Sequence, residues 1–278
     1  MGKRQNDLKE ALNRPKKINE ILGEQIETAL EGHKRSKAEL FFSSLSAGLE
    51  IGFSVFLIAT LHTLYADSLH PAQMHVLLSI AYPLGFLFVI IGRSELFTEQ
   101  TTLAVLPVLN KNAKLTSLLA IWGIIYAGNI LGGYVFSALL AWLPVEMGMI
   151  DRESLVVLAA KFIDYPWYVI LGSGMLAGWL MGLLSWLVTS SQETISRMLI
   201  VILVTTVIGI GSLHHSIVGS IEVFTGFILS KDITGFDYLN NQLWSTFGNI
   251  IGGVVFVALM KFSHVNLTKS VTKKYDEQ

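Results

Sequence analysis

The sequence predicts an all-α membrane protein with six crossings. Three observations predict it: apolar runs of spanning length, two such runs interrupted at matching places, and one helical segment that recurs at a fixed offset. The 278 residues are 52% hydrophobic and 15% charged, with a mean hydropathy of +0.55, too apolar for an ordinary soluble domain. Nine of the twenty Lys and Arg precede Leu40, so the charges crowd toward one end. The net charge of −1 gives no global field for nucleic acid. The absence of Cys excludes disulfides, thiolate metal sites and thiol nucleophiles. The sequence calls for no cofactor. More than thirty mostly polar residues come first, so no cleaved signal is expected and the spanning helices themselves carry the chain into the membrane.

A hydrocarbon core of about 30 Å takes roughly 20 apolar residues per helix. Four runs satisfy this: Leu40 to Tyr65, Leu115 to Leu143, Trp167 to Ser190, and Tyr238 to Phe262. A fifth, from Val76 to Ile91, stops at Gly92-Arg93-Ser94-Glu95 and resumes as far as Leu109. A sixth, from Met198 to Ile208, meets Gly209-Ile210-Gly211-Ser212 and His214-His215, then resumes through Ser230. Each of these two is read as one crossing made from a broken helix, the second and the fifth in order. Before them, Ile18, Ile21, Leu22, Ile26 and Leu30 fall at helical spacing, which predicts a solvated, loosely docked helix after a disordered start. The chain thus divides into an arm (1–38), a six-helix membrane domain (39–264) and a tail (265–278).

Loop charge sets the orientation. The arm is basic, Lys111 and Lys114 follow the second crossing, Arg197 follows the fourth, and Lys269, Lys273 and Lys274 lie in the tail. The alternate loops are poorer: the first, around Ala66 to Ala72, has no Lys or Arg, and the others hold Arg152 and Lys161, then Lys231 beside Asp232 and Asp237. This bias places both termini in the cytoplasm, as an even number of crossings requires.

The third and sixth crossings repeat one another. Gly128 to Leu140 lies on Gly248 to Met260 with nine of thirteen positions identical at an offset of 120. Each half then has three crossings, and an odd number turns one half upside down relative to the other. Broken helices at corresponding places of an inverted repeat point to a site near the bilayer midplane, because unpaired backbone groups are tolerated there only around a polar cavity or inside protein. Gly132, Gly133, Gly252 and Gly253 are assigned to close helix packing.

Three stretches carry a resemblance to a known family. They are Gly92-Arg93-Ser94-Glu95-Leu96-Phe97-Thr98 at the first break, His214-His215-Ser216-Ile217-Val218-Gly219 at the second, and the Gly-Asn-x-x-Gly helices. In their order and spacing they resemble the formate/nitrite transporter family, which also includes hydrosulfide channels, over roughly Leu40 to Phe262. The resemblance implies a homopentamer in a bacterial inner membrane, with an aquaporin-like pore inside each protomer. It implies a small monocarboxylate or other monovalent anion as substrate, lipid as the surroundings, and no enzymatic activity. It makes His215 the pore histidine, with His214 beside it, and Thr98 the loop threonine. Tyr82, Phe86 and Leu96 become one apolar constriction, Phe97 and Ile208 the other, and Lys161 a vestibule lysine.

The physics of these residue types suits those roles. A bare anion entering a low-dielectric constriction costs about 20 kcal/mol in the idealised limit and several kcal/mol after relaxation. A protonatable histidine between apolar rings lends a proton and takes it back, and Lys161 concentrates anions. The chain departs from the family pattern at Gly178, where the fourth helix usually has Asn, at Gly219 in place of a second Asn, and at His214 in place of Glu. It also carries Glu50, Arg93 and Glu222 within apolar segments. Such charges need partners, and Arg93 with Glu50 or Glu95 is the expected ion pair; an Arg93 facing the pore is the alternative. His214 and His215 as metal ligands lack a carboxylate three or four residues away. An intramembrane serine protease using Ser173 lacks the Gly-x-Ser-Gly context and leaves the repeat unexplained. A non-conducting relative, plugged by Arg93, is the remaining alternative.

Overall fold

The computed structural model describes residues 14–265, and all regular structure among them is helical. The start of the arm and the Lys-bearing tail lie outside the described residues. The arm helix α1 (Ile18–Lys34) leads into α2 (Lys37–Tyr65). Next come α3 (Pro71–Ala81) and α4 (Pro83–Gly92), then α5 (Phe97–Leu103) and α6 (Leu106–Leu109). The third long helix is α7 (Leu115–Glu146), followed by α8 (Arg152–Ile163) and α9 (Trp167–Ser190). The chain ends in α10 (Thr194–Ile210), α11 (Ser216–Leu229) and α12 (Gly235–Gly253), and α12 continues through a π-helical stretch, Val254–Leu259.

Among the described residues, five helices are long and apolar enough to cross a membrane: Lys37–Tyr65, Pro71–Gly92, Leu115–Glu146, Trp167–Ser190 and Gly235–Val265. The limbs Thr194–Ile210 and Ser216–Leu229 are apolar but shorter. The chain leaves helix after Gly92 and after Ile210, at the two places where the sequence predicts breaks. The limb before the first break is longer than the apolar run suggests. His70 caps it, its Nδ1 accepting from Ala72 N–H while Gln73 Oε1 accepts from His70 N–H, and Pro71 takes the first helical position, where a missing N–H costs nothing.

Between α3 and α4 the chain bends at Tyr82. Pro83 has no N–H to continue the ladder, and Ser54 of α2 fills the gap: its hydroxyl donates to Tyr82 O (2.6 Å) and accepts from Gly85 N–H (2.8 Å). A side chain inserted into the ladder is a recognised cause of a kink, and this one fixes where the Tyr82 ring sits.

The most extensive helix contacts are α2 with α7 and α9 with α12, and both rest on glycine. A Cβ on Gly48 would collide with Asn129 O, and one on Gly132 with Leu45 O; likewise Gly178 with Asn249 O and Gly252 with Met175 O. The partners differ by 130 and by 120 residues, so the same interface is built twice. The packing role expected for Gly132 and Gly252 holds, and Gly178 joins them.

The arm is bound more firmly than expected. Ile21, Leu22, Gln25 and Ala29 of α1 are buried. Lys16 Nζ donates to Thr189 O (2.7 Å), Gln25 Nε2 reaches Ser185 and Thr189, and His33 bridges Ser117 Oγ (2.8 Å) and Ala104 O (3.1 Å). The spacing of the apolar residues is right; Gln25 and His33 continue the stripe of Ile21 and Ala29 at intervals of four, so the docked face is partly polar, which apolar spacing alone does not display. The outward surface is apolar, with Phe42, Trp142, Ile195, Leu203 and Phe236 exposed, while Thr98, Asn129, Thr205 and Asn249 are fully buried. Such an arrangement suits a lipid exterior and not water.

Candidate functional site

The two breaks are constructed alike, group for group. Arg93 and Ser212 both adopt left-handed backbone, φ 61° and 45°, a conformation that costs a residue with a Cβ about 1–2 kcal/mol and turns the chain out of the helix. The next N–H reaches back five residues in each, Ser94 to Val89 O and Leu213 to Ile208 O. Glu95 N–H donates to Ser43 Oγ, and His214 N–H to Ser173 Oγ. Phe97 N–H donates to Asn129 Oδ1 (2.8 Å), and Ser216 N–H to Asn249 Oδ1 (2.9 Å). Each amide nitrogen then closes the arrangement: Asn129 Nδ2 donates to Ser44 O and Glu95 O, and Asn249 Nδ2 to Gly174 O and His214 O. Backbone groups released by a break inside a membrane must find partners, and two asparagines and two serines supply them.

Ser173 therefore has a twin. Its hydroxyl touches His214 Nδ1 at 2.9 Å, but Ser43 receives the corresponding N–H with no histidine beside it. The shared duty is bracing the break. The second imidazole nitrogen of His214 lies 3.1 Å from Phe162 O, and its ring packs edge-on against Phe162 and Tyr165. His214, expected at the pore, is buried as part of that brace.

Between the breaks stands His215, which caps α11. Its Nδ1 accepts from Val218 N–H (3.3 Å), so the ring proton is on Nε2, 2.8 Å from Thr98 Oγ1. Both residues are buried, and Phe86 meets the imidazole edge-on at 5.1 Å with Tyr82 beyond it at 5.3 Å. A polar pair is thus held by chain from both halves, and the N-terminus of α11 turns its positive end toward it.

A cavity opens on each side of this pair. On the arm side it is about 430 Å³ and is lined by Arg93, Ser94, Glu95, Glu99, Gln100 and Arg197, with Glu24 and Thr28 of α1. On the far side it is about 70 Å³ and is lined by Tyr82, Ile208, Lys161, His75 and Glu222 among others. Tyr82 and Ile208 therefore share the far-side cavity. Phe97, expected in one constriction with Ile208, packs edge-on against Trp122 and Tyr126 of α7. Tyr82 and Ile208 are 126 residues apart in the chain, a distance at which no local spacing displays their meeting.

The expected ion pair is also replaced. Glu95 pairs with Arg35, at the end of the arm, at 2.6 Å, and accepts from Gln100. Glu50 accepts from Ser46 within its own helix. Arg93 is exposed and opens to the arm-side cavity, so among the described residues it forms no ion pair with Glu50 or Glu95. Arg35 was missed because a residue sixty positions away gives no local signal. Asn129 and Asn249 had one, the in-register Gly-Asn of the repeat. Ser43 and Ser173 had another: Ser43, Ala47, Gly48 and Gly52 recur as Ser173, Ala177, Gly178 and Gly182.

A multi-pass helical protein with an apolar exterior, a buried polar pair at the meeting of two broken helices and a cavity on either side has the build of a membrane transport protein. Its sequence matches the model of the formate/nitrite transporter family over residues 19–263, and the chain belongs to that family. Among its relatives, inner membrane protein YfdC of Escherichia coli (strain K12) is 27% identical over 270 residues, covering 92% of this chain and 80% of that one. Nitrite transporter NirC of Salmonella typhimurium is 30% identical over 230 residues, 78% of this chain and 80% of that one. A solved FNT family ion channel shares the fold with a TM-score of 0.79 at 23% identity, over 88% of this chain and 99% of its own. A pentameric formate channel with formate bound does so at 0.72 and 21%, over 83% and 98%. At the level of the family the protein is a transporter and not an enzyme.

Proposed function

We propose that the chain assembles as a homopentamer in a bacterial inner membrane and passes a small monovalent anion, formate-like or nitrite-like, through each protomer together with a proton. In this reading the limbs α10 and α11 make the fifth crossing. Six crossings then form an inverted three-plus-three repeat, and the arm side is cytoplasmic. The observation that carries the proposal is the buried Thr98–His215 pair, 2.8 Å apart, placed between a cavity on each side.

Charge is the obstacle in such a path. The apolar walls at Tyr82, Phe86, Leu96, Phe97 and Ile208 are buried side chains, and an ion among them loses its hydration. The neutral acid form of a weak acid avoids most of that cost. The Thr98 hydroxyl accepts from His215 Nε2–H and keeps its own hydrogen to donate where the substrate is driest. His215 takes up a second proton only by releasing the Val218 N–H from Nδ1, and a neighbouring anion offsets that loss. Lys161 draws anions to the far side, while Arg93 and Arg197 do so on the arm side.

Stopped-flow flux in proteoliposomes tests this with formate, nitrite, hydrosulfide, acetate and chloride across acid to neutral pH. Formate and nitrite are expected to move faster as pH falls, with chloride far behind, and His215→Asn is expected to stop them. Flux no greater than in protein-free vesicles would make the chain a non-conducting relative. An active His215→Lys would reduce the histidine's role to charge.

A further inference from the structure

The far-side cavity holds two ionisable groups that form no salt bridge with each other. Lys161, on α8, is exposed into it and belongs to no ion pair among the described residues. Glu222, on α11, is 4% exposed and lines the same cavity, and its buried Oε2 has no hydrogen-bond partner among the described residues. Buried polar atoms are ordinarily partnered, and the exceptions call for an explanation. Two further polar groups of the cavity are committed elsewhere, His75 Nε2 to Ile210 O and Ser79 Oγ to His75 O, while Ser212 and Tyr82 also line it.

We propose that Lys161 and Glu222 form a two-point site in which a small monocarboxylate rests on the ammonium and receives its proton from the Glu222 carboxyl. This rests on the transport reading above and names the source of its proton on the far side. One carboxylate oxygen of the anion accepts from Lys161 Nζ, and the other accepts from the protonated Glu222. The O–H bond on Glu222 breaks as the O–H bond on the substrate forms. The neutral acid moves on past Tyr82 and Ile208. The Glu222 carboxylate left behind faces the Lys161 ammonium until water from the far-side solution returns its proton. The site carries a single positive charge at rest, none with the anion bound or after the neutral acid has left, and a single positive charge again once the proton returns, so one proton enters with each anion. The site therefore favours weak acids whose proton affinity is close to that of a carboxyl group, and it rejects chloride and nitrate, which cannot hold the proton.

Other titratable groups on the surrounding elements are already engaged or set aside. On α2, His62 contacts Ser154 Oγ and Glu50 accepts from Ser46. Tyr134 of α7 and Tyr238 of α12 bond to each other, and Tyr238 to Ser220. Glu99 of α5 lines the arm-side cavity, His215 contacts Thr98, and Tyr82 shares the cavity as its apolar exit.

Formate flux in proteoliposomes at a series of pH values is the measurement. Glu222→Gln is expected to slow flux about tenfold or more and to flatten its rise with acidity, while Glu222→Asp restores the slope. Should the Gln variant fail to assemble, Lys161→Met, at an exposed position, still reads the site: half-saturating formate should rise about tenfold, the loss of one charged contact, with the pH profile retained. A Glu222→Gln protein with wild-type rate and profile, or a Lys161→Met protein with unchanged half-saturation, overturns the site. Wild-type protein that passes no formate would instead remove the transport reading itself.

Discussion

Asn249 is one side chain serving three backbone groups: it accepts from Ser216 N–H and donates to Gly174 O and His214 O. Its amide is fully buried, so none of the three has water as an alternative. Asn249→Asp keeps the shape and the acceptor but removes both donors and sets a carboxylate against two carbonyl oxygens. A buried acceptor left unsatisfied costs about 1–3 kcal/mol, so this nearly isosteric change should destabilise the protein by at least about 2 kcal/mol. Thermal denaturation of the detergent-solubilised oligomer would show it, and an unchanged midpoint would remove the brace. The sequence displayed Asn129 and Asn249 as part of an in-register repeat but not what they do. Their partners lie 32 to 85 residues away, and a side chain bonded to distant backbone leaves no mark on local composition. His215 and Thr98 were legible from their neighbours in the chain. The Arg35–Glu95 pair was not, since any of several arginines would have matched the same carboxylate.

The long helices were readable because burial in lipid demands length and apolarity, and both are properties of a contiguous segment. The breaks were readable from glycine and charge inside such segments. What escaped is the detail fixed by contacts between elements: the firm seat of α1, the helix α8 in what reads as a loop, and the meeting of Tyr82 with Ile208. The helix pairs themselves follow a rule testable by one methyl group. On α9, Gly178 faces Asn249 O with no room for a Cβ, whereas Gly172, six residues earlier, has nothing within 4 Å. Gly172→Ala should be neutral or stabilising by up to about 1 kcal/mol, the difference in helix propensity. Gly178→Ala forces α9 and α12 apart and should cost about 1–3 kcal/mol, as overpacking does. Equal melting temperatures for the two variants would contradict the claim that backbone contact sets this interface.

For the molecule as a whole, orientation is the property that gives the two cavities their meaning. Lys16, Arg35, Lys37, Lys111, Lys114 and Arg197 gather on the side of the arm, while the turn after α2 carries Asp67 and no basic residue. Basic loops remain in the cytoplasm, so in the orientation proposed above the Lys161–Glu222 cavity faces outward and the Arg93–Arg197 cavity inward. The chain contains no cysteine, so a single introduced thiol reports its position against a silent background. Asp67 and Asn112 are both exposed and lie in turns at opposite ends of the long helices. In intact cells a membrane-impermeant maleimide should label Asp67→Cys at once, and Asn112→Cys only after the membrane is opened. The reverse pattern would turn the protein over, so that the site assigned to Glu222 would exchange its proton with the cytoplasm and the arm would face the outside. Labelling of both in intact cells would mean that the connection between them does not cross the membrane an odd number of times, and the inverted repeat would fall with it.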